Sequence, residues 1–304
     1  MQDPNDNAQV GTFVKVDEHL NLSHVVGQEE AVSKLTGLVN RIKYADIYHL
    51  WAVDKPKAIA LTGPPGCGKT FSIRALANEV SCPLMELCYE DLASHLYDES
   101  IRRLAAFKEQ VEDIARVHGH VLILIDEADS FFQSRFDTST HPSDKKKTNF
   151  FLRWIDGDLE GSDNFTIIAT SNAWETVDPA LRRSGRFYEV KYEALAPEDV
   201  KKALSVHMQL AELRVDRKLF EPSDLDGLDI PEEITGADVK DIVSDVLIKK
   251  AEDFLEAYLE QENEEDLPDL TGDLALINVD ELEEIINKRL AQLGKTVRKV
   301  GFGS

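Results

Sequence analysis

The chain has 304 residues, 42% of them apolar, and a formal net charge of −23. That length is enough for two domains with a real core, and no apolar run approaches the ~18 residues of a membrane span. Acidic residues outnumber basic ones 57 to 34, which weighs against nucleic acid as a partner, because such binding neutralises phosphates with Lys and Arg. A local basic stripe would still be compatible with this balance, and solubility is its simplest meaning. The start, Met1 to Gln9, lacks the apolar core of a signal peptide. Cys67, Cys82 and Cys88 form neither a metal-ligand spacing nor an even disulfide set, so a reduced, cytoplasmic location is expected.

Residues 1–22 read as a loose N-terminal arm. From Val25 to near Tyr192, short apolar strands alternate with amphipathic helices, the pattern of an α/β fold with a parallel sheet. The first helix is expected over Glu29–Ile42 and the first strand over Ala58–Leu61. The next residues, Gly63-Pro64-Pro65-Gly66-Cys67-Gly68-Lys69-Thr70, fit the phosphate-loop pattern G-x-x-x-x-G-K-[ST] without a mismatch. Helical spacing resumes over Thr70–Val80, giving the strand–loop–helix context that a real phosphate loop requires. A strand over Pro83–Leu87, a helix over Ser100–Arg116 and a strand over Val121–Ile125 come next. The last is apolar at every position, as a central strand covered on both faces would be. A helix over Lys147–Ile155 and strands over Thr166–Ala169 and Phe187–Val190 complete a large domain at 23–193.

Beyond Ala194 no strand pattern is obvious. Helices are expected from Pro197 to near Leu210, from Thr235-Gly236-Ala237-Asp238 to Lys250 or beyond, and over Val279–Leu293. Residues 194–304 therefore read as a small helical domain. An acidic stretch near 252–273 reads as a solvated helix end and loop.

The phosphate loop brings its own chemistry. Its glycines let backbone N–H groups approach phosphate oxygens at the positive end of a helix. The backbone from Pro65 through Gly66, Cys67, Gly68, Lys69, Thr70 and Phe71 would line the phosphates. Lys69 would sit on the β- and γ-phosphates, and Thr70 would place its hydroxyl on Mg²⁺. Val121–Ile125 ends in Asp126-Glu127-Ala128-Asp129. Carboxylates there point into the crevice where open α/β sheets bind ligands. Asp126 would hold Mg²⁺, usually through water, and Glu127 would polarise the water that attacks the γ-phosphate. A helix N-cap is the competing use of such residues.

Together with Ala169-Thr170-Ser171-Asn172 and the block Val177-Asp178-Pro179-Ala180-Leu181-Arg182-Arg183-Ser184-Gly185-Arg186-Phe187, these motifs resemble an AAA ATPase, the AAA family proper within the AAA+ class, over about residues 24–293. The resemblance implies a P-loop NTPase domain followed by an all-helical lid, and ATP hydrolysis between the subunits of a ring, a hexamer in the expected case. It implies that Asn172 is the polar sensor between γ-phosphate and water. Arg183 and Arg186 resemble paired arginine fingers that reach a neighbour's site, while Arg182 fits that spacing less well. Val26-Gly27 and Gly236-Ala237 resemble parts of the adenine and ribose pocket, and His207 falls where many members place a histidine near the nucleotide. A structural role is equally open for His207.

Departures bear on the substrate. The expected aromatic slot of the first pore loop holds Leu96, with Tyr97 next and Asp98 in place of a glycine. Leu96 and Tyr97 could grip an extended polypeptide or merely flank a helix. The second pore loop would lie within Ser134–Lys146. The expectation is a homo-oligomeric motor that remodels a protein or protein assembly, with room for an adaptor protein. A nucleotide-gated scaffold and a DNA-directed loader are the alternatives.

Overall fold

Apolar runs become strands here because helices cover both of their faces. The computed structural model describes residues 10–92, 99–132, 142–215, 218–220, 225, 228, 230, 234–259 and 276–292. The chain divides into two compact units, one of Met1–Pro65 and Lys69–Glu193, the other of Gly66–Gly68 and Ala194–Ser304.

In the first unit the strands are β1 (Thr12–Phe13), β2 (Ala58–Thr62), β3 (Leu84–Glu86), β4 (Val121–Ile125), β5 (Phe165–Ser171) and β6 (Phe187–Lys191). They form one sheet in the order β1-β3-β4-β5-β2-β6. All pairings are parallel except that of β1 with β3. The helices between them are α1 (Glu29–Lys43), α2 (Ala45–His49), α3 (Lys69–Val80), α4 (Tyr89–Leu92), α5 (Glu99–His118), α6 (Ala128–Phe131) and α7 (Pro142–Asp156). Alternate side chains of a strand face opposite sides. Ala58 and Ala60, Val121, Ile123 and Ile125, and Phe165, Ile167 and Ala169 join one core with Phe107 and Val111 of α5 and Phe151 and Trp154 of α7. The residues of opposite parity, among them Ile59, Leu61, Leu122, Leu124 and Ile168, are just as buried. On that side α1 and α3 pack together and reach β6 and β5.

The stretch read as a loose arm is partly tied down. Thr12 and Phe13 pair antiparallel with Glu86 and Met85, and Val10, Leu20 and Leu22 are buried. The pattern hid this because a two-residue strand leaves no periodicity to detect.

The described residues of the second unit are helical in α8 (Pro197–Val215), α9 (Gly236–Leu259) and α10 (Val279–Gln292). Leu204, Met208, Phe220, Val239, Ile242, Val246 and Ile286 are among its core residues. Each of the later helices is started by a side chain. At α9, Asp238 Oδ2 accepts from the Thr235 N–H at 2.9 Å and hydroxyl at 2.7 Å. At α10, Asn278 and Glu281 cap each other's backbone N–H reciprocally. Among the described residues, no helix is long and apolar enough to cross a membrane.

Candidate nucleotide site

The strand order sets the C-terminal ends of β4, β5 and β2 side by side. Thr62 is level with Ser171, and Ile125 with Ala169. The residues that come directly after Thr62, Ile125 and Ser171 must therefore meet at one edge of the sheet. They are the phosphate loop, Asp126-Glu127 and Asn172. A ligand crevice is expected where successive connections diverge in this way.

The loop begins where only glycine fits. A Cβ on Gly63 would lie 2.3 Å from the Tyr192 carbonyl oxygen, and its φ is +150°. At the other end Gly68, with φ +93°, has open space where a side chain would be, so its backbone can be approached closely by a ligand. Lys69 opens α3 and is nearly buried. Its Nζ donates to the Gly63 carbonyl at 2.8 Å, the Pro64 carbonyl at 2.7 Å and Asn172 Oδ1 at 2.8 Å. This ammonium is thus poised inside a turn of carbonyls, at the position where an anion would gain most from it.

Thr70 Oγ1 lies 3.4 Å from Asp126 Oδ2. One hydroxyl and one carboxylate are the hard oxygen donors Mg²⁺ takes when it keeps water and phosphate as its other ligands, so these residues fit that ion. Asp126 and Glu127 are exposed at the strand end. Glu127 has φ 52° and ψ 50°, a left-handed conformation that costs a non-glycine residue roughly 1–2 kcal/mol. The short helix α6 holds that strain in place. The Ser130 and Phe131 N–H groups bond to the Glu127 carbonyl at 2.8 and 3.2 Å, and Phe131 and Phe132 pack edge-on against Phe151 at 5.7 and 5.1 Å between ring centroids. Strain so fixed is typical of functional positions.

Lys69, Thr70, Asp126, Glu127 and Asn172 are therefore brought together. Residues without an assigned role in the sequence join them. Thr170 donates its hydroxyl to Asp126 Oδ1 and accepts from the Glu127 N–H at 3.1 Å. Asp129 Oδ1 accepts from the Asn172 N–H at 3.3 Å. Glu86, ending β3, has its carboxyl pKa raised by burial and then by the negative charge of Asp126. A polar residue ending a strand beside Asp126 was the available signal for Thr170 and Glu86, but it requires the strand order.

The arginine block folds as a capped turn. Asp178 is fully buried and accepts from the Ala180 N–H at 2.8 Å, and Leu181 and Phe187 enter the core. Its arginines diverge. Arg182 Nε donates to the Val177 carbonyl at 2.9 Å. Arg186 grips Asp156 bidentately, Nε–Oδ1 at 3.0 Å and Nη2–Oδ2 at 2.6 Å, and reaches the Ala180 carbonyl at 2.6 Å. The Asp156 hydrogen bond is the main reason its pKa is raised. Arg183 is exposed and its side chain forms no ion pair or hydrogen bond among the described residues.

Of the remaining candidates, Val26 and Gly27 are half-buried ahead of α1, with Gly27 at φ +67°. The adjacent Gln28 side chain clamps Glu193 through both its backbone N–H and its carbonyl, at 3.1 and 2.8 Å. Pro65 is exposed, Cys67 buried and Phe71 half-buried. In the second unit Gly236 and Ala237 open α9. His207 lies well inside α8 rather than at a helix end, because α8 runs on to Val215. Leu96, Tyr97 and most of Ser134–Lys146 lie outside the described residues.

A mostly parallel sheet with a phosphate loop after one strand and a carboxylate pair after another is the arrangement of a phosphate-loop nucleoside triphosphatase. The family model for AAA, the ATPase family associated with various cellular activities, matches residues 59–193, and this part of the chain is an AAA ATPase domain. The chain is similar to protein CdcH of Halobacterium salinarum, 28% identical over 83% of this chain and 36% of that protein. It is also similar to the cell division cycle protein 48 homolog of Archaeoglobus fulgidus, 32% identical over 60% of this chain and 24% of that protein. With the proteasome-activating nucleotidase of Pyrococcus furiosus it shares 27% identity over 79% of this chain and 59% of that protein. The chain thus spans between 24% and 59% of the length of these curated relatives.

Proposed function

We propose that this chain hydrolyses ATP as one subunit of a ring, a hexamer by its family resemblance, and uses the energy to remodel a protein. The observation that carries the proposal is the meeting of Lys69, Thr70, Asp126, Glu127 and Asn172 at the ends of three adjacent strands, in a chain whose arginine block leaves Arg183 exposed. Lys69 and the loop N–H groups hold the phosphates. Thr70 and Asp126 hold Mg²⁺, which when bound neutralises phosphate charge. Glu127 takes a proton from the attacking water, and Asn172 fixes that water against the γ-phosphate. Val26, Gly27, Gly236, Ala237 and His207 are proposed to face the base and ribose.

Charge that develops on the transferring group then needs a cation from outside the chain. In this reading Arg183 of a neighbouring copy supplies it, with Arg186 as the second arginine once released from Asp156. That one relative is a proteasome-activating nucleotidase supports a protein as the object of the work. Leu96 and Tyr97 are proposed to touch it, an adaptor protein to deliver it, and the cytoplasm to be the setting.

The test is Glu127→Gln. It should bind ATP as well as the parent chain does and turn it over at least about a hundredfold more slowly, since general bases contribute ~10²–10⁴. Equal turnover in the two proteins would refute the assignment of Glu127.

A further inference from the structure

The hydroxyl of Thr170 sits at a junction that the proposed chemistry depends on. Thr170 is 2% exposed and stands on β5 level with Leu61 of β2. The register that pairs Ile125 with Ala169 sets Asp126 beside Thr170. Its hydroxyl hydrogen goes to Asp126 Oδ1, and its oxygen accepts the Glu127 N–H at 3.1 Å. Glu127 N–H, Thr170 O–H and Asp126 Oδ1 thus form one directed chain. The hydroxyl rotor is engaged at both ends, so one side chain orients both neighbours. With Oδ1 held, Asp126 turns Oδ2 toward the Thr70 hydroxyl at 3.4 Å. With its N–H held, Glu127 keeps its left-handed backbone at the end of the strand.

We infer that Thr170 is a positioning residue for ATP hydrolysis, one hydroxyl that orients the metal-binding carboxylate of Asp126 and the backbone of the base Glu127 together. The inference rests on the roles proposed for those two carboxylates. Thr170 touches neither nucleotide nor metal in this role; it acts through its neighbours. Valine has nearly the shape of threonine and lacks the hydroxyl, so Thr170→Val keeps the packing on β5 and removes the link. Serine keeps the link and loses only a methyl group.

The experiment compares the parent chain, Thr170→Val and Thr170→Ser in steady-state ATP hydrolysis across a Mg²⁺ titration. Binding of a fluorescent ATP analogue with and without EDTA is measured beside it. Thr170→Val should turn over about tenfold more slowly, with KM for ATP within about twofold, and should need several times more Mg²⁺ for half-maximal rate. Its analogue binding in EDTA should match the parent, and Thr170→Ser should regain turnover to within about threefold. Parental turnover and Mg²⁺ requirement in Thr170→Val would overturn the inference. So would equal damage in the serine variant, or a loss of EDTA-state binding that parallels the loss of turnover, which would mark a merely structural residue. If Thr170→Val does not fold, Thr170→Ala removes the same hydroxyl without overpacking and is read in the same way. A parent chain without Mg²⁺-dependent hydrolysis would instead sink the reading of the site itself, and the role of Thr170 with it.

Discussion

The two ends of β4 and β5 carry the same device for different purposes. At the entry end, His120 Nε2 meets Thr166 Oγ1 at 3.1 Å. At the exit end, Asp126 meets Thr170. Thr166 and Thr170 share one face of β5 because side chains repeat every second residue, and both are buried. What differs is how each network ends. The Thr166 hydroxyl passes its hydrogen to the Pro56 carbonyl at 3.3 Å, so it receives the His120 N–H and the chain closes on backbone. Nearby, Lys55 bonds to Asn164 at 3.2 Å and Lys57 pairs with Asp163 at 2.8 Å. The Thr170 network ends on the exposed carboxylate of Asp126, which reaches the Thr70 hydroxyl, and on the backbone of the left-handed Glu127. A buried threonine hydroxyl thus relays hydrogen bonds at both ends, to backbone at one and to an exposed carboxylate at the other, where a ligand is proposed.

The largest break in this contrast is expected from outside the sheet. If the exit end is completed by another copy, Arg183→Ala should lower turnover by about 10³ while leaving ATP affinity within about threefold, since an arginine finger is worth ~10³–10⁵. Mixing it with the parent chain should depress the parent's rate as well. Arg186→Ala should behave differently, because it also strips Asp156 of its bidentate partner, and lowered thermal stability should accompany its loss of rate. If Arg183→Ala slowed only its own subunit in mixtures, the exit end would be complete within one chain.

Much of this arrangement was legible in the residues, and the rest was hidden for definite reasons. The apolar run of β4 and the loop after β2 announce themselves because central parallel strands and phosphate loops tolerate few substitutes. The observed strands differ from the expected ones mainly at their ends, as with β5, which extends to Phe165 and Ser171. The cluster of Lys69 with Asn172 required only that the strands before them be neighbours. Thr170 and Glu86 escaped because nothing local marks them; their meaning lies in the register of β5 on β4 and of β3 on β4. The pairing of Arg186 with Asp156 escaped for the same reason. Asp156 carries no local signal and Arg186 reads only as an arginine finger until the chain between them, from α7 to the capped turn, is folded.

A smaller effect should sharpen the contrast from the entry end. Thr166→Val leaves the His120 ring nitrogen and the Pro56 carbonyl without their partner in a buried place. It should cost about 1–3 kcal/mol of stability, the usual penalty for an unsatisfied buried polar group. Turnover measured well below the melting temperature should be unchanged. A Thr166→Val protein that melts like the parent but hydrolyses ATP slowly would invert the division of labour between the two threonines.

The most gradual effect, smallest per pH unit near neutrality, is the proton linkage of His120. Burial, and then the nearby positive charge of Lys55, lower its pKa to about 3. The folded state therefore keeps the ring neutral where the unfolded chain, with a value near 6.5, already binds a proton. The contribution of His120 to stability is thus fully present above about pH 6.5 and is lost progressively as the pH falls toward the folded value. The slope for one proton is at most about 1.4 kcal/mol per pH unit. Between about pH 6.5 and 5 ordinary carboxylates contribute little, but His24, its pKa lowered by burial, and Glu86, its pKa raised, also differ from free groups, so the difference in slope between the parent and a His120 variant is what isolates this histidine. His120→Gln, which has no proton to gain, should be less stable at neutral pH yet show a flatter dependence on acidification. An unchanged slope in that variant would mean that the entry end is not a closed, dry network, and the contrast with the exit end would lose its physical basis.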